Sequence, residues 1–228
     1  MIGRALRLVL ASLAISGGSP AWSQGEVTLA PGAWSMVDLN WVGSRPLAFS
    51  MELHERTWGL FEEQALAIVR PAVHWAFTPQ FEGALGGTWV GSSAGGVEWN
   101  GWEQLAMKGG DERWKWAVRI RQEQRRIASS DLTQRLNRVR IRVAATHPLS
   151  WGNGGWYASG FVEWWGDQDG DYRFTSCSRT WHAVGVGRRF DSGWRVQLTA
   201  LHQRDALDPG WRVSPIGQVS VHRTWQAH

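Results

Sequence analysis

The sequence predicts an all-β fold: an up-and-down antiparallel transmembrane β-barrel of about 10–12 strands. Three observations lead to this prediction. Two neighbouring segments each have one apolar and one densely charged face, similar alternation continues along most of the chain, and tryptophan is unusually abundant. In a soluble sheet the charged face would meet bulk water, whereas in a membrane barrel the apolar face meets lipid and the charged face lines the lumen.

The alternation is clearest between Arg113 and Pro148, on either side of a polar turn at Ser129–Asp131. Successive side chains of a strand point to opposite faces. The apolar parity holds Trp114, Trp116, Val118 and Ile120 in the first segment, and Val139, Ile141 and Val143 in the second. The other parity holds Arg119, Arg121, Glu123 and Arg125, followed by Arg138, Arg140 and Arg142. This pattern predicts an antiparallel hairpin.

Composition supports a membrane-spanning sheet. The chain of 228 residues contains 18 tryptophans and 2 tyrosines. A buried indole N–H needs a hydrogen-bond partner, so this many indoles exceed what one soluble core could accommodate. Aromatic girdles at the two membrane edges stabilise rings that have one wet end. We therefore expect rows of tryptophan, valine and isoleucine to face lipid.

The first residues are typical of a secretory signal peptide. Arg4 and Arg7 precede the apolar run Leu8–Ile15, and small residues follow. The run is shorter than the roughly 20 residues of a transmembrane helix. We predict a cleaved signal peptide over residues 1–23, a single barrel domain over residues 24–228, and export to the outer membrane of a Gram-negative bacterium.

The remaining chain divides into alternating segments separated by Gly, Pro, Asp and Ser. Besides the hairpin strands they are Trp34–Val42, Leu47–Thr57, Gln64–Phe77, Phe81–Val90, Val97–Met107, Trp156–Trp165, Arg173–Arg189, Trp194–Arg204 and Trp211–Trp225. About eleven candidates result, whereas closed single-chain bacterial barrels have even strand numbers. We therefore expect ten or twelve strands, with one segment split, missed or outside the barrel.

Charge and cysteine content exclude several classes. The formal net charge is +4, and the basic residues are spread along strands, so nothing favours nucleic-acid binding. The lone Cys177 cannot form an intramolecular disulfide. Asp167, Asp169 and Asp171 lack the glycine and glutamate spacing of a calcium-binding loop. We predict no cofactor and no metal.

Several stretches along the chain resemble one family. They are Trp34, Glu52–Arg56, Trp102–Leu105, Arg119–Arg125, Arg138–Arg140, His147–Leu149, Glu163 and Arg179 before Gly185 and Gly187. Together they resemble the DUF2490 family, a group of uncharacterised bacterial proteins predicted to be outer-membrane β-barrels. The stretch Glu98–Trp102 departs from the family pattern, which usually has a Glu-His-Arg triplet before the tryptophan. The resemblance implies a fold and a location, and no established activity.

The strongest constellation is a set of charged residues on the parity assigned to the lumen, here called the lumen charge set. It consists of Glu52, Arg56, Glu98, Arg119, Arg121, Glu123, Arg125, Arg138, Arg140, Arg142, Glu163 and Arg179. Burying an isolated ion is costly, so we expect arginine–carboxylate pairs. The set predicts a structural membrane barrel, or a narrow anion-favouring channel of unknown cargo.

An outer-membrane hydrolase acting on lipid is one alternative. It would need a nucleophile such as Ser50, Ser159 or Ser178 close to a histidine base. The candidate bases are His54, His74, His147, His182, His202 and His222. No local serine or histidine motif accompanies them, and His182 and His202 lack the short-spaced partner of a zinc site. We therefore predict no enzyme.

A soluble periplasmic ligand-binding barrel is the other alternative. It would carry its apolar side chains inward and its charges outward. The predicted membrane barrel has the reverse arrangement, with outer-membrane lipid and the barrel assembly machinery as its partners. The last segment supports the second partner, because Val219, Val221 and Trp225 share one parity and resemble an aromatic-ended terminal strand.

Overall fold

The computed structural model describes residues 27–43, 46–59, 63–93, 95–128, 133–151, 154–169, 171–207 and 210–226. The predicted signal peptide, residues 1–23, and the predicted turn at Ser129–Asp131 lie outside these residues. No helix in the described part of the chain is long and apolar enough to cross a membrane.

The described residues form strands that lie close to the predicted segments. The strands are β1 (Val27–Leu29), β2 (Gly32–Val42), β3 (Leu47–Trp58), β4 (Glu63–Ala76), β5 (Phe81–Ser92), β6 (Val97–Gly110), β7 (Lys115–Ala128), β8 (Thr133–Pro148), β9 (Trp156–Gln168), β10 (Phe174–Arg189), β11 (Trp194–Leu207) and β12 (Gly210–Gln226). Each strand from β2 to β12 pairs antiparallel with the next, and β12 pairs with β2 to close the sheet. The predicted all-β, up-and-down barrel is confirmed.

The two N-terminal strands act as one strand of the barrel wall. Both pair parallel with β12, and the register is continuous from Val27 opposite Trp211 to Gly32 opposite Ile216. Between them Ala30 still donates its N–H to β12, whereas Pro31 has no N–H to donate. Over the described residues the wall therefore has 11 strands.

The expectation of an even strand number was wrong, although the count lies within the predicted range. With an odd number of up-and-down strands, the first and last strands run in the same direction. They close through the parallel β12–β2 ladder, which pairs both free edges of the sheet. The alternating pattern of each strand carries no information about this closure.

The two ends of the barrel are needed to place the site. We call the end that holds residues 77–80, 111–114 and 190–193 the upper end, and the end where β12 begins the lower end.

The upper turn at Asp111 is held by side-chain hydrogen bonds, because its carboxylate accepts the N–H groups of Arg113 and Trp114 at 2.8 and 2.7 Å. These hydrogen bonds lower the pKa of Asp111.

The outer face is apolar between two zones of aromatic rings. Side chains such as Leu85, Leu105, Ile120, Ile141 and Leu198 are exposed on the outside of the wall. Exposed rings near the upper end are Trp41, Phe49, Phe77, Phe81, Trp116, Trp151, Phe190 and Trp194, and those near the lower end are Trp99, Trp164, Tyr172 and Phe174. This distribution is the reverse of that expected for a soluble ligand-binding barrel.

Part of the tryptophan prediction was wrong, because four of the rings lie inside the barrel. Trp34, Trp102, Trp165 and Trp181 are 3–6% exposed and point away from the outer surface. Trp34, Trp165 and Trp181 belong to one buried cluster with Leu201. The lumen is wide enough that charged side chains alone do not fill it, and indoles occupy the remaining space.

Candidate functional site

The structure places the whole lumen charge set on the inward faces of the strands. None of its members is exposed, and Arg56, Arg121, Glu123, Arg140 and Glu163 are buried. The inward direction follows from contacts across the lumen, such as the guanidinium of Arg56 on β3 lying 5.4 Å from the ring of Trp181 on β10. The set therefore lines the interior of the barrel.

Glu163 lies at the centre of this interior and is 0% exposed. Its Oε1 accepts hydrogen bonds from Arg119 and from the Nε of Arg140, the latter at 2.9 Å. Arg140 also donates from Nη1 to Glu123 at 2.8 Å. In the β7–β8 register, Arg121 faces Arg140 directly. Like charges in that position repel, so the bridging carboxylates stabilise the arginine-rich hairpin.

In the middle of the barrel, guanidinium groups and indole rings alternate across the lumen. The ring centroids of Trp34 and Trp181 are 5.4 Å apart, and those of Trp165 and Trp181 are 4.7 Å apart. Arg56 lies 4.0 Å from the Trp34 ring and Arg140 lies 3.9 Å from the Trp165 ring. Such cation–π contacts contribute more when desolvated. We call these five residues with Glu163 the packed layer.

A third arginine–tryptophan contact, outside the packed layer, borders it. The guanidinium of Arg121 lies 3.8 Å from the Trp102 ring and donates to Oε1 of Gln104 at 2.8 Å. The indole N–H of Trp102 donates to Thr88 at 3.2 Å. Gly86 makes room for this ring, because a Cβ there would lie 2.2 Å from it. The position therefore requires glycine.

Three further ion pairs lie toward the lower end. They join Arg125 to Glu98, Arg138 to Asp167 and Arg179 to Asp205. The first is bidentate, with both nitrogen–oxygen distances 2.7 Å. Bidentate pairing is the geometry that favours arginine over lysine at such sites.

The lumen also contains arginines that no carboxylate neutralises directly. Among the described residues, no carboxylate oxygen lies within the 4.0 Å ion-pair distance of Arg56, Arg121 or Arg142. Arg121 instead contacts a neutral amide, and Arg142 lies 3.6 Å from the ring of Phe161. The interior therefore retains a local excess of positive charge.

Sequence reasoning missed several partners of the predicted residues. Arg70 donates to Glu52 at 2.7 Å, and Asp38 accepts from His222 at 2.9 Å. Asp167 and Asp205 are missing from the predicted set as well. Strand parity could have identified all four positions, since each occupies the inward parity of its strand. Parity does not reveal which charges pair across neighbouring strands.

Above the packed layer the lumen opens into a cavity of about 200 Å³. Its lining includes Asn40, Ser50, Ala72, His74 and Arg121, from strands β2, β3, β4 and β7. We call this cavity the upper chamber. Small side chains at positions 50 and 72 leave the space that indoles occupy in the packed layer.

Ser50 and His74 are the candidate pair that the structure brings together. Ser50 Oγ lies 2.9 Å from His74 Nε2, and His74 Nδ1 lies 3.0 Å from Oε1 of Glu82. Ser178 instead donates to a backbone carbonyl. The rings of His182 and His202 face each other at 6.2 Å, and the described residues contain no cluster of three or more potential metal ligands.

The fold and the interior define a class: a porin-like β-barrel with an apolar outer surface and a charged, partly filled lumen. Over residues 31–214 the chain matches the family described as "Protein of unknown function (DUF2490)". The protein therefore belongs to the DUF2490 family, as its residue pattern predicted.

A solved structure of the NanC porin, in a rhombohedral crystal form, resembles this barrel. The TM-score is 0.50 at 16% sequence identity, and the match covers 76% of this chain and 85% of the porin chain. At this identity the likeness concerns the fold alone. Among curated proteins, none matches the sequence significantly.

Proposed function

We propose that the protein is a structural barrel of the Gram-negative outer membrane, with its lumen closed across the middle. The exposed apolar side chains of the outer face suit lipid, and the aromatic rings near both ends suit the two membrane interfaces. The charged groups stay inside, where nine members of the lumen charge set form ion pairs with described residues and Arg56, Arg121 and Arg142 do not.

The main support for a closed lumen is the packed layer. Glu163, Arg140, Trp34, Trp165 and Trp181 are each at most 6% exposed, although all of them line the inside of the barrel. Opening a continuous path would separate Arg140 from both of its carboxylates. Breaking a buried ion pair typically costs several kcal/mol, about 3–5. The filled layer therefore opposes the passage of solutes.

The test combines location with conductance. The chain should fractionate with the outer membrane, and the refolded protein should migrate differently on a gel before and after boiling. In planar bilayers it should show no steady open-pore current. A soluble periplasmic protein without a heat-dependent shift would overturn the membrane assignment, and a steady large current would overturn the closed lumen.

A narrow anion-favouring channel is the second candidate function. The support for it is the positive charge of the lumen arginines that have no carboxylate partner among the described residues. If the wild-type protein conducts, its reversal potential in a salt gradient should indicate anion preference. Replacing Arg121 and Arg142 together by alanine should then reduce that preference, because rings of positive charge select anions. Unchanged selectivity in the double variant would count against the channel.

A further inference from the structure

Three side chains from adjacent strands form a hydrogen-bonded chain at the upper chamber. Ser50 lies on β3, His74 on β4 and Glu82 on β5, with successive contacts of 2.9 and 3.0 Å. Nucleophile, base and orienting carboxylate in this order form the arrangement used in acyl transfer. We propose that these residues form a hydrolytic site for small anionic esters, an activity beyond the structural role proposed above.

The hydrogen bonds fit the tautomer of His74 that the chemistry needs. An ionised carboxylate only accepts hydrogen bonds, so Nδ1 of His74 must donate to Glu82. With Nδ1 as the donor, the tautomer used in the proposed reaction has its lone pair on Nε2, which faces the hydroxyl of Ser50. Lys108 donates to the other oxygen of Glu82 at 3.2 Å, which keeps that carboxylate ionised and in place. Glu82 is therefore a positioning residue.

The chamber provides space in front of the serine. Ser50 and His74 both line it, and Ala72, the cross-strand neighbour of Ser50, leaves room beside the hydroxyl. Asn40 lies directly opposite Ser50 in the β2–β3 register and lines the same cavity. Within the described part of the chain its side-chain amide makes no hydrogen bond, so it is free to donate to an oxyanion.

Volume and charge define the substrate class. A chamber of about 200 Å³ has room for roughly six or seven waters of ~30 Å³ each. That space suits a short acyl group and excludes a fatty-acyl chain. Ser50 also faces the lumen, so a lipid in the surrounding bilayer cannot reach it from the outer face. Arg121, which has no carboxylate partner among the described residues, would bind an acidic group on the ester.

The proposed reaction consumes one water for each ester. Ser50 Oγ attacks the carbonyl carbon while His74 Nε2 takes the hydroxyl proton, and the amide of Asn40 stabilises the oxyanion. The bond to the alcohol oxygen then breaks, and His74 returns the proton to that oxygen. Water attacks the acyl-serine with His74 again as base. The acid leaves, and the proton returns to Ser50.

The first test is labelling of the refolded full mature chain in detergent with diisopropyl fluorophosphate. Mass spectrometry should locate the adduct on Ser50, a readout that requires no variant. The protein should also hydrolyse 4-carboxyphenyl acetate. Absence of both labelling and hydrolysis, or an adduct confined to another serine, would overturn the proposal. The heat-dependent gel shift tests the barrel separately, so the two proposals can fail independently.

Variants then test the roles of individual residues. Ser50→Ala and His74→Asn should each lower kcat at least ~100-fold, because they remove the nucleophile and the base. Glu82→Gln should lower kcat and leave KM unchanged, and Arg121→Gln should raise KM for the anionic ester but not for phenyl acetate. The matched control is Ser159→Ala, an inward serine that makes no hydrogen bond to a histidine within the described residues. Ser50→Ala with wild-type activity in a folded barrel would refute the mechanism.

Discussion

The packed layer and the upper chamber are both lined by inward-facing side chains of the strands. They differ in the size of the side chains that lie between the charged groups. In the packed layer, indoles of Trp34, Trp165 and Trp181 separate the guanidinium groups. In the chamber, one indole, that of Trp102, lies against Arg121, and the rows of β3 and β4 carry Ser50 and Ala72. The difference teaches that the size of the intervening side chains, and not the charge pattern, decides where this lumen is filled.

Removing β12 would eliminate both regions at once. Deleting Trp211–His228 should prevent barrel assembly, because β12 closes the sheet through its ladders to β11 and β2. Loss of the heat-dependent gel shift and of outer-membrane fractionation would show this. A truncated chain that still resists unfolding in detergent would contradict the closure seen here.

Arg140→Ala should break the packed layer. It leaves Glu163 and Glu123 without their shared partner in a buried site, at an expected cost of about 3–5 kcal/mol of unfolding free energy. Urea unfolding of the refolded protein would measure the loss. The control is Arg173→Ala, whose pair with Asp171 has exposures of 78% and 76% and should contribute nothing measurable. Equal losses in both variants would show that burial is irrelevant.

Trp181→Ala should convert part of the packed layer into a second chamber. Truncating a buried tryptophan costs about 3–5 kcal/mol, here with the loss of contacts to Trp34 and Trp165. Planar bilayers should show new current with anion preference. The outward-facing Trp164→Ala is the control and should leave conductance unchanged. A silent Trp181→Ala barrel that remains folded would mean that other side chains close the lumen.

Glu52→Gln tests an ion pair inside the chamber. Glu52 accepts from Arg70 at 2.7 Å, with side-chain exposures of 26% and 12%. Water can replace part of this interaction, so the expected loss is smaller, about 1.5–3 kcal/mol. Urea unfolding alongside Arg140→Ala would compare the two regions directly. A loss as large as that of Arg140→Ala would show that the chamber is as dry as the packed layer.

Much of the fold followed from local pattern. Segment boundaries, the two faces of each strand and the inward parity of the lumen charge set depend on a period of two, which sequence displays directly. The candidate triad did not follow in the same way. Ser50, His74 and Glu82 were not selected as a unit, because the contacts of His74 with Ser50 and with Glu82 depend on the register of three strands, and no short motif contains them.

The sequence by itself determined that this chain alternates, which faces are charged, and which family it belongs to. The tertiary structure decided that the wall of 11 strands closes through a parallel pair, that indoles fill the packed layer, and which carboxylate each paired arginine contacts. The physical reason is the separation along the sequence of the residues that interact. Alternation is a property of neighbouring residues, whereas contacts across a lumen depend on the circumference and register of the closed wall, which no single strand encodes.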